Sequence, residues 1–231
     1  MSFDRMDMAF DRAIGQTRRS TIVGQVMGLL AFSLLFTAGG YLVGRALGPL
    51  GMILGVVGSL VAVLALSFAR TKMSSGVALG VFYLFSVFEG MALGLIIDSY
   101  LARGMGMVVV NAATTTAALV LVLSAYAWTT KRDLSGMGAY LMAGLLAVLL
   151  AGLVMIVLSL FGVPMGMFGF LLSVVTAVLF SGFVMYDMQR LKNAREGIDD
   201  PIMLAVGIYL SIFNLFLAIL RIFGFLSSSD D

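Results

Sequence analysis

The sequence contains no cysteine and no histidine, and only 11% of its 231 residues are charged. Disulfide bonds, thiolate or imidazole metal sites and histidine-based acid–base catalysis are therefore excluded. Any proton-sensitive group in this chain must be a carboxylate. The net charge is only +2 and the basic residues are scattered over loops, which argues against nucleic-acid binding.

Most of the chain is apolar instead, since 61% of the residues are hydrophobic. The charged share of 11% is less than half of the roughly 25% that a soluble domain carries. Long apolar runs of about 20–24 residues are sufficient to cross a hydrocarbon core of ~30 Å, and lipid favours helices there because it offers the backbone no hydrogen-bond partner. The sequence predicts an all-α membrane protein with seven transmembrane helices, at 22–44, 50–69, 76–97, 105–128, 140–161, 165–186 and 203–226. Gly40/Gly44, Gly51/Gly55 and Gly90/Gly94 have the spacing of helix contacts.

The distribution of basic residues predicts the orientation of these spans. We expect a cytoplasmic N-terminal segment at 1–21, a transmembrane domain at 22–226 and a short C-terminal tail at 227–231 that lies outside. This arrangement leaves only Arg45 and Arg103 outside, as the positive-inside rule requires. The cytoplasmic side then holds Arg5, Arg12, Arg18, Arg19, Arg70, Lys72, Lys131, Arg132, Arg190, Lys192 and Arg195.

Two formal charges fall inside the predicted spans, Glu89 in the third and Arg221 in the seventh. Each costs at least ~2.5 kcal/mol at mid-bilayer when it is left in lipid, so we expect the two to approach within salt-bridge range or through one water. The pair would either fix the register of the helices or belong to a gate, and snorkelling is an alternative for Arg221 alone.

Polar groups of the seventh segment lie on one stripe, because Ser211, Asn214, Ala218 and Arg221 follow one another at steps of three and four. A polar stripe facing lipid is costly, so this helix is predicted to be surrounded by others. Asp187, at the end of the sixth segment, is either a solvated interfacial acid or part of an ion path.

Four motifs resemble the bacterial Bax inhibitor-1 family of membrane proteins. They are Phe88-Glu89-Gly90-Met91-Ala92-Leu93-Gly94, Thr130-Lys131-Arg132-Asp133-Leu134-Ser135-Gly136, Tyr186-Asp187-Met188-Gln189, and Ile208 to Phe216 continued by Leu220-Arg221-Ile222-Phe223-Gly224. The resemblance implies a seven-helix bundle with the last helix central and a pH-sensitive calcium leak across a bacterial inner membrane. No cofactor is implied, and calcium would be the transported ion, met by Asp187.

The chain departs from the family pattern at Ser211, where leak-type members carry a second aspartate facing the one at Asp187. Two close carboxylates tend to share a proton, which a serine cannot do. We therefore expect any flux to depend only weakly on pH. Ser59 stands nearest to the place where some members have an acid that pairs with the arginine at Arg221.

Two other functions compete with a calcium or cation leak, whose path or gate would be formed by Asp187, Ser211, Asn214, Glu89 and Arg221. The first is a non-conducting regulator that binds a membrane protease or other membrane proteins in a stress response, which is the role that the resemblance implies for some bacterial members. The second is an intramembrane aspartyl protease, which needs two catalytic aspartates within helices, and no second aspartate falls in the predicted spans. We expect no enzymatic activity.

Overall fold

The computed structural model describes residues 3–164 and 166–228, with the side chains of 3–21 excepted. It contains seven α-helices and one short 3₁₀ helix, Arg70–Lys72, after the second of them. The α-helices are α1 Phe3–Leu47, α2 Pro49–Ala69, α3 Ser75–Ala102, α4 Gly106–Thr129, α5 Met137–Leu160, α6 Gly166–Asn193 and α7 Pro201–Ser228.

All seven predicted spans are confirmed as helices that are long and apolar enough to cross a membrane. Several helices are longer than predicted, since α3 continues to Ala102 and α6 to Asn193. Asp98, placed after the third span by the sequence, therefore lies within α3. Polar residues at these ends carry no hydropathy signal, although a helix continues readily into the headgroup layer. The side chains of the predicted segment 1–21, Met165, and residues 229–231 of the predicted tail lie outside the described residues.

Glycines end two of the helices at the sites where the chain turns back. Gly104 and Gly162 have φ values of 75° and 77°, in the left-handed region that favours glycine. The amides that follow them reach back into the last turn, Met105 to the carbonyl of Tyr100 at 2.9 Å and Val163 to that of Leu158 at 3.2 Å. These bonds form Schellman motifs, which satisfy helix-end carbonyls. The predicted spans 140–161 and 165–186 leave only three residues between them, and this turn explains how so short a connection suffices.

An aspartate begins α7 and also joins it to the end of α2. The Oδ1 atom of Asp200 accepts a hydrogen bond from the backbone N–H of Ile202 at 3.0 Å, and Pro201 takes the first helical position. The Oδ2 atom of Asp200 lies 2.5 Å from Nε of Arg70. Both side chains remain partly exposed, so this ion pair contributes modestly to stability.

The chain divides into two compact units: residues up to Leu95 together with Arg190–Val206, and Ile96–Gln189 together with the residues from Gly207 onward. Of the seven helices, α7 has the largest buried share, more than half of its most apolar stretch, and α5 has the smallest. The prediction that the last helix is enclosed by others is confirmed by this burial. The burial of α7 explains why this helix tolerates polar side chains at Ser211 and Asn214.

Within the first unit, glycines bring α1, α2 and α3 into backbone contact. A Cβ atom added at Gly90 would collide with the carbonyl of Thr37, and one at Gly55 would lie 2.6 Å from the carbonyl oxygen of Phe88. Gly51 packs in the same way against the backbone of Gly44, where a Cβ would lie 2.5 Å from the oxygen. The three predicted glycine pairs are therefore helix contacts, as packing without a hydrophobic driving force requires.

Candidate functional site

A buried carboxylate in α6 is bonded to a hydroxyl group of α7. The Oγ atom of Ser211 donates a hydrogen bond to Oδ2 of Asp187 at 2.6 Å, and both side chains are buried, with 6% of Asp187 and 2% of Ser211 exposed. Asp187 is therefore no solvated interfacial acid. A hydrogen bond between two buried side chains is electrostatically stronger than one in water, because the local dielectric is low.

The polar stripe of α7 divides into three environments. Ser211 and Ala218 are buried, Asn214 is half-buried, and Arg221 is exposed. The side-chain amide of Asn214 donates to the carbonyl of Leu210 one turn earlier at 2.9 Å, so this donor is satisfied within its own helix. Of the stripe, Ser211 is the residue that bonds the Asp187 carboxylate. A role of Asn214 in an ion path stays a prediction.

Two residues beyond Asp187, Gln189 fixes the loop between α4 and α5. Its Nε2 atom donates to the carbonyl of Arg132 at 2.8 Å, and its Oε1 atom accepts from the N–H of Leu134 at 2.6 Å. Gln189 and Leu134 are both buried. A single buried amide thus holds the loop backbone on two sides, while the loop leaves its charged side chains exposed.

The same loop is stiffened by a local turn. The backbone N–H of Ser135 donates to Oδ1 of Asp133 at 2.9 Å, and hydrogen bonds from Ser135 hold the pKa of Asp133 below its usual range. The carboxylate is fully exposed to solvent. Asp133 therefore keeps its charge on the loop surface, next to the exposed Lys131 and Arg132.

In the first unit, the glutamate of α3 meets a serine of α2. The Ser59 side chain makes a hydrogen bond with Glu89, and Ser59 is buried whereas Glu89 is partly buried. The sequence singled out Ser59 only as the nearest polar residue, without joining it to Glu89. The approach of Glu89 to Arg221 within salt-bridge range stays a prediction.

A tyrosine of α3 packs onto the last turns of α7, in the second unit. The hydroxyl of Tyr100 donates to the carbonyl of Leu220 at 3.3 Å, and the guanidinium of Arg103 lies 5.0 Å from the centre of its ring. A Cβ atom at Gly224 would lie 2.5 Å from the same hydroxyl, so the glycine leaves room for this contact. The exposed Arg221 lies close enough to act electrostatically on Tyr100.

A family model described as "Inhibitor of apoptosis-promoting Bax1" matches residues 19–228, nearly the whole described chain. The chain belongs to the Bax inhibitor-1 family. The resemblance of the four motifs is therefore confirmed, and with it the assignment to an all-α class of membrane proteins.

Bacterial membrane proteins of the family are similar over most of their length. "Inner membrane protein YbhL" of Escherichia coli K12 is 34% identical over 200 residues, which cover 83% of this chain and 77% of YbhL. "Modulator of FtsH protease YccA" of the same strain is 32% identical over 177 residues, covering 77% of this chain and 76% of YccA. An uncharacterised membrane protein of Vibrio cholerae is 32% identical over 206 residues, with 87% and 88% covered.

Among the side chains that the structure describes, no three acidic residues cluster in the way a bound metal ion requires. Asp187 therefore belongs to no cluster of three or more such ligands among the described side chains. Sequence reasoning found it, and Ser211 opposite it, through the family motifs. It missed the clamp formed by Gln189 and the ion pair of Arg70 with Asp200, although Asp followed by Pro is a recognisable start of a helix.

Proposed function

We propose that this Bax inhibitor-1 family member is a cation leak whose path is closed near one end of α6 and α7 by the contact of Asp187 with Ser211. The observation that supports this function is the buried hydrogen bond between the two side chains. Burying a carboxylate between helices costs free energy, so such a group persists where function needs it. Ionisable groups within membrane helices therefore mark ion paths.

Calcium is the proposed cargo, because hard divalent cations prefer carboxylate oxygens and the family resemblance implies a calcium leak. One carboxylate gives a passing cation a single strong ligand. Because a single ligand binds calcium more weakly than a full coordination shell does, the ion can leave on the other side, as conduction requires. Asp187 then forms the cytoplasmic end of the path, and Glu89 and Arg221 stay predictions for its outer end.

Replacing Ser211 with alanine is expected to raise the calcium leak about tenfold, because a hydrogen bond to a charged group contributes roughly 1.5–3 kcal/mol and each 1.4 kcal/mol is a factor of ten. The measurement is calcium entry into liposomes loaded with a calcium dye. Ser173→Ala is the matched control, since Ser173 is also buried but bonds only the carbonyl of Gly169 in its own helix. Equal leaks from the two variants would contradict closure by Ser211.

Orientation in a bacterial inner membrane is the second part of the proposal. We place Arg70, Lys131 and Arg190 on the cytoplasmic side and the C-terminus outside. A reporter that is active only in the cytoplasm is expected to be silent when fused after Asp231 and active when fused before Met1. A strong signal from the C-terminal fusion would contradict the orientation.

A second candidate function is supported by one comparison, because YccA is named a modulator of FtsH protease. In this alternative the chain binds a membrane protease and conducts nothing. The liposome assay separates the two functions, since a pure regulator gives no flux above that of empty liposomes. Co-isolation with an FtsH-type protease from cells, together with an absence of flux, would favour the regulator.

A further inference from the structure

The carboxylate of Asp187 lies over a gap in the surface of α7. Gly207 and Ser211 are four residues apart and so lie one turn apart on the same face of the helix. Ser211 donates to Oδ2 of Asp187 at 2.6 Å. A Cβ atom added at Gly207 would lie 3.2 Å from Oδ1, 3.5 Å from Cγ and 3.6 Å from Oδ2 of the same carboxylate.

The backbone of α7 does not require a glycine at this position. Positive φ values among the described glycines occur at Gly48, Gly104, Gly162 and Gly197, and Gly207 is not one of them. Glycine inside a helix is less stable than alanine because its unfolded backbone has more freedom. The glycine is therefore explained by space: the carboxylate of Asp187 occupies the place that a side chain at Gly207 would need.

Asp187 lies in a buried part of α6. Its neighbours one turn before and one residue after, Val184 and Met188, are buried with 1% and 5% of their surface exposed. A carbon–oxygen separation of 3.2 Å is closer than an ordinary van der Waals contact. The carboxylate would therefore shift by a few tenths of an ångström, and the hydrogen bond from Ser211 would lengthen or bend.

We propose that Gly207 is a positioning residue that seats the carboxylate of Asp187 and so sets the strength of its bond to Ser211. Its effect on transport rests on the proposed leak, whereas its effect on the carboxylate does not. The small residue and the hydroxyl one turn later together form a notch of α7, defined by Gly207 and Ser211, that accepts one carboxylate group.

The test compares Gly207→Ala with Gly80→Ala, an alanine in the interior of α3 at a glycine where an added Cβ meets nothing within 4 Å. The first readout is the infrared carboxylate band of Asp187, obtained as the difference between each variant and the same variant carrying Asp187→Asn. Gly207→Ala is expected to shift this band in the direction that Ser211→Ala shifts it, and Gly80→Ala to leave it unchanged.

The second readout is calcium entry into liposomes. Gly207→Ala is expected to raise the leak about threefold to tenfold. The double variant Gly207→Ala with Ser211→Ala is expected to leak no more than Ser211→Ala alone, because the effects of two substitutions that act through one contact do not add. A shifted band with an unchanged leak supports the seat and contradicts the proposed leak. An unchanged band overturns the proposal, whatever the leak.

Loss of folding in Gly207→Ala is also informative. Asp187→Ala removes the carboxylate and makes room for the methyl group, so the pair Asp187→Ala with Gly207→Ala is then expected to fold as well as Asp187→Ala alone. Recovery supports a clash with the carboxylate. Failure to recover in that background overturns the proposal, because the methyl group then clashes with something else.

Discussion

Asp187→Asn is expected to lower calcium flux about tenfold in liposomes, which corresponds to ~1.4 kcal/mol of lost attraction for the cation. The asparagine has almost the same shape, and its side-chain oxygen still accepts the hydrogen bond from Ser211. The contact proposed to close the path is therefore kept while the negative charge is removed. This loss of ~1.4 kcal/mol is smaller than the ~4 kcal/mol by which two opposite unit charges 4 Å apart attract each other near a protein surface.

The matched control for this variant is Asp133→Asn. Asp133 is an exposed acid of the loop between α4 and α5, outside the membrane-spanning helices, and asparagine keeps its turn with Ser135. This variant removes the same charge without touching the buried site, so we expect a flux close to that of the unchanged protein. Equal flux in all three proteins would make Asp187 a structural anchor and remove it from the ion path.

Ser211→Asp is expected to make the flux strongly dependent on pH. We expect the flux of the unchanged protein to depend only weakly on pH between about pH 6 and 8, well above the pKa of ~3.9 of an isolated aspartate. The new carboxyl group would stand within hydrogen-bonding distance of Asp187, where the serine hydroxyl now lies at 2.6 Å. Two carboxyl groups this close share one proton in mild acid and repel each other once both are ionised. The contact should therefore hold at the lower pH and open at the higher one.

The measurement for this variant is the rate of calcium entry at several pH values across that window, with the flux rising from the lower to the higher pH. Ser211→Asn is the control, because it adds a side chain of the same size without a titratable group. A steep response of the unchanged protein would show that a second aspartate is not needed for pH sensing. A flat response of Ser211→Asp would show that the two groups do not meet in the conducting protein.

Most of the fold was predictable because lipid imposes a length on each span and a helical backbone within it. The ends of the helices were less predictable. Asp98 and Gln189 lie in helices beyond the apolar stretch that the hydrocarbon core requires, so hydropathy gives no signal for them. The glycine spacing did predict the contacts of α1, α2 and α3, since close backbone approach needs small residues at regular positions.

The candidate site was predictable where a family motif contained it, at Asp187 and Ser211. Contacts between distant positions were not. Ser59 and Glu89 are thirty positions apart in the sequence, and their side chains meet only when α2 and α3 pack together. Arg70 and Asp200, which form an ion pair, both lie between predicted spans, where a charged residue is usually explained by solvent alone.

The clamp formed by Gln189 makes the end of α6 and the loop that follows α4 behave as one lever. Both polar atoms of a single side-chain amide bond the loop, at Arg132 and Leu134, only two residues beyond Asp187. A rotation of α6 that moves the carboxylate must therefore carry the loop with it. A small displacement of the Asp187 carboxylate would thus be passed on to the exposed charges of Lys131, Arg132 and Asp133 on the loop.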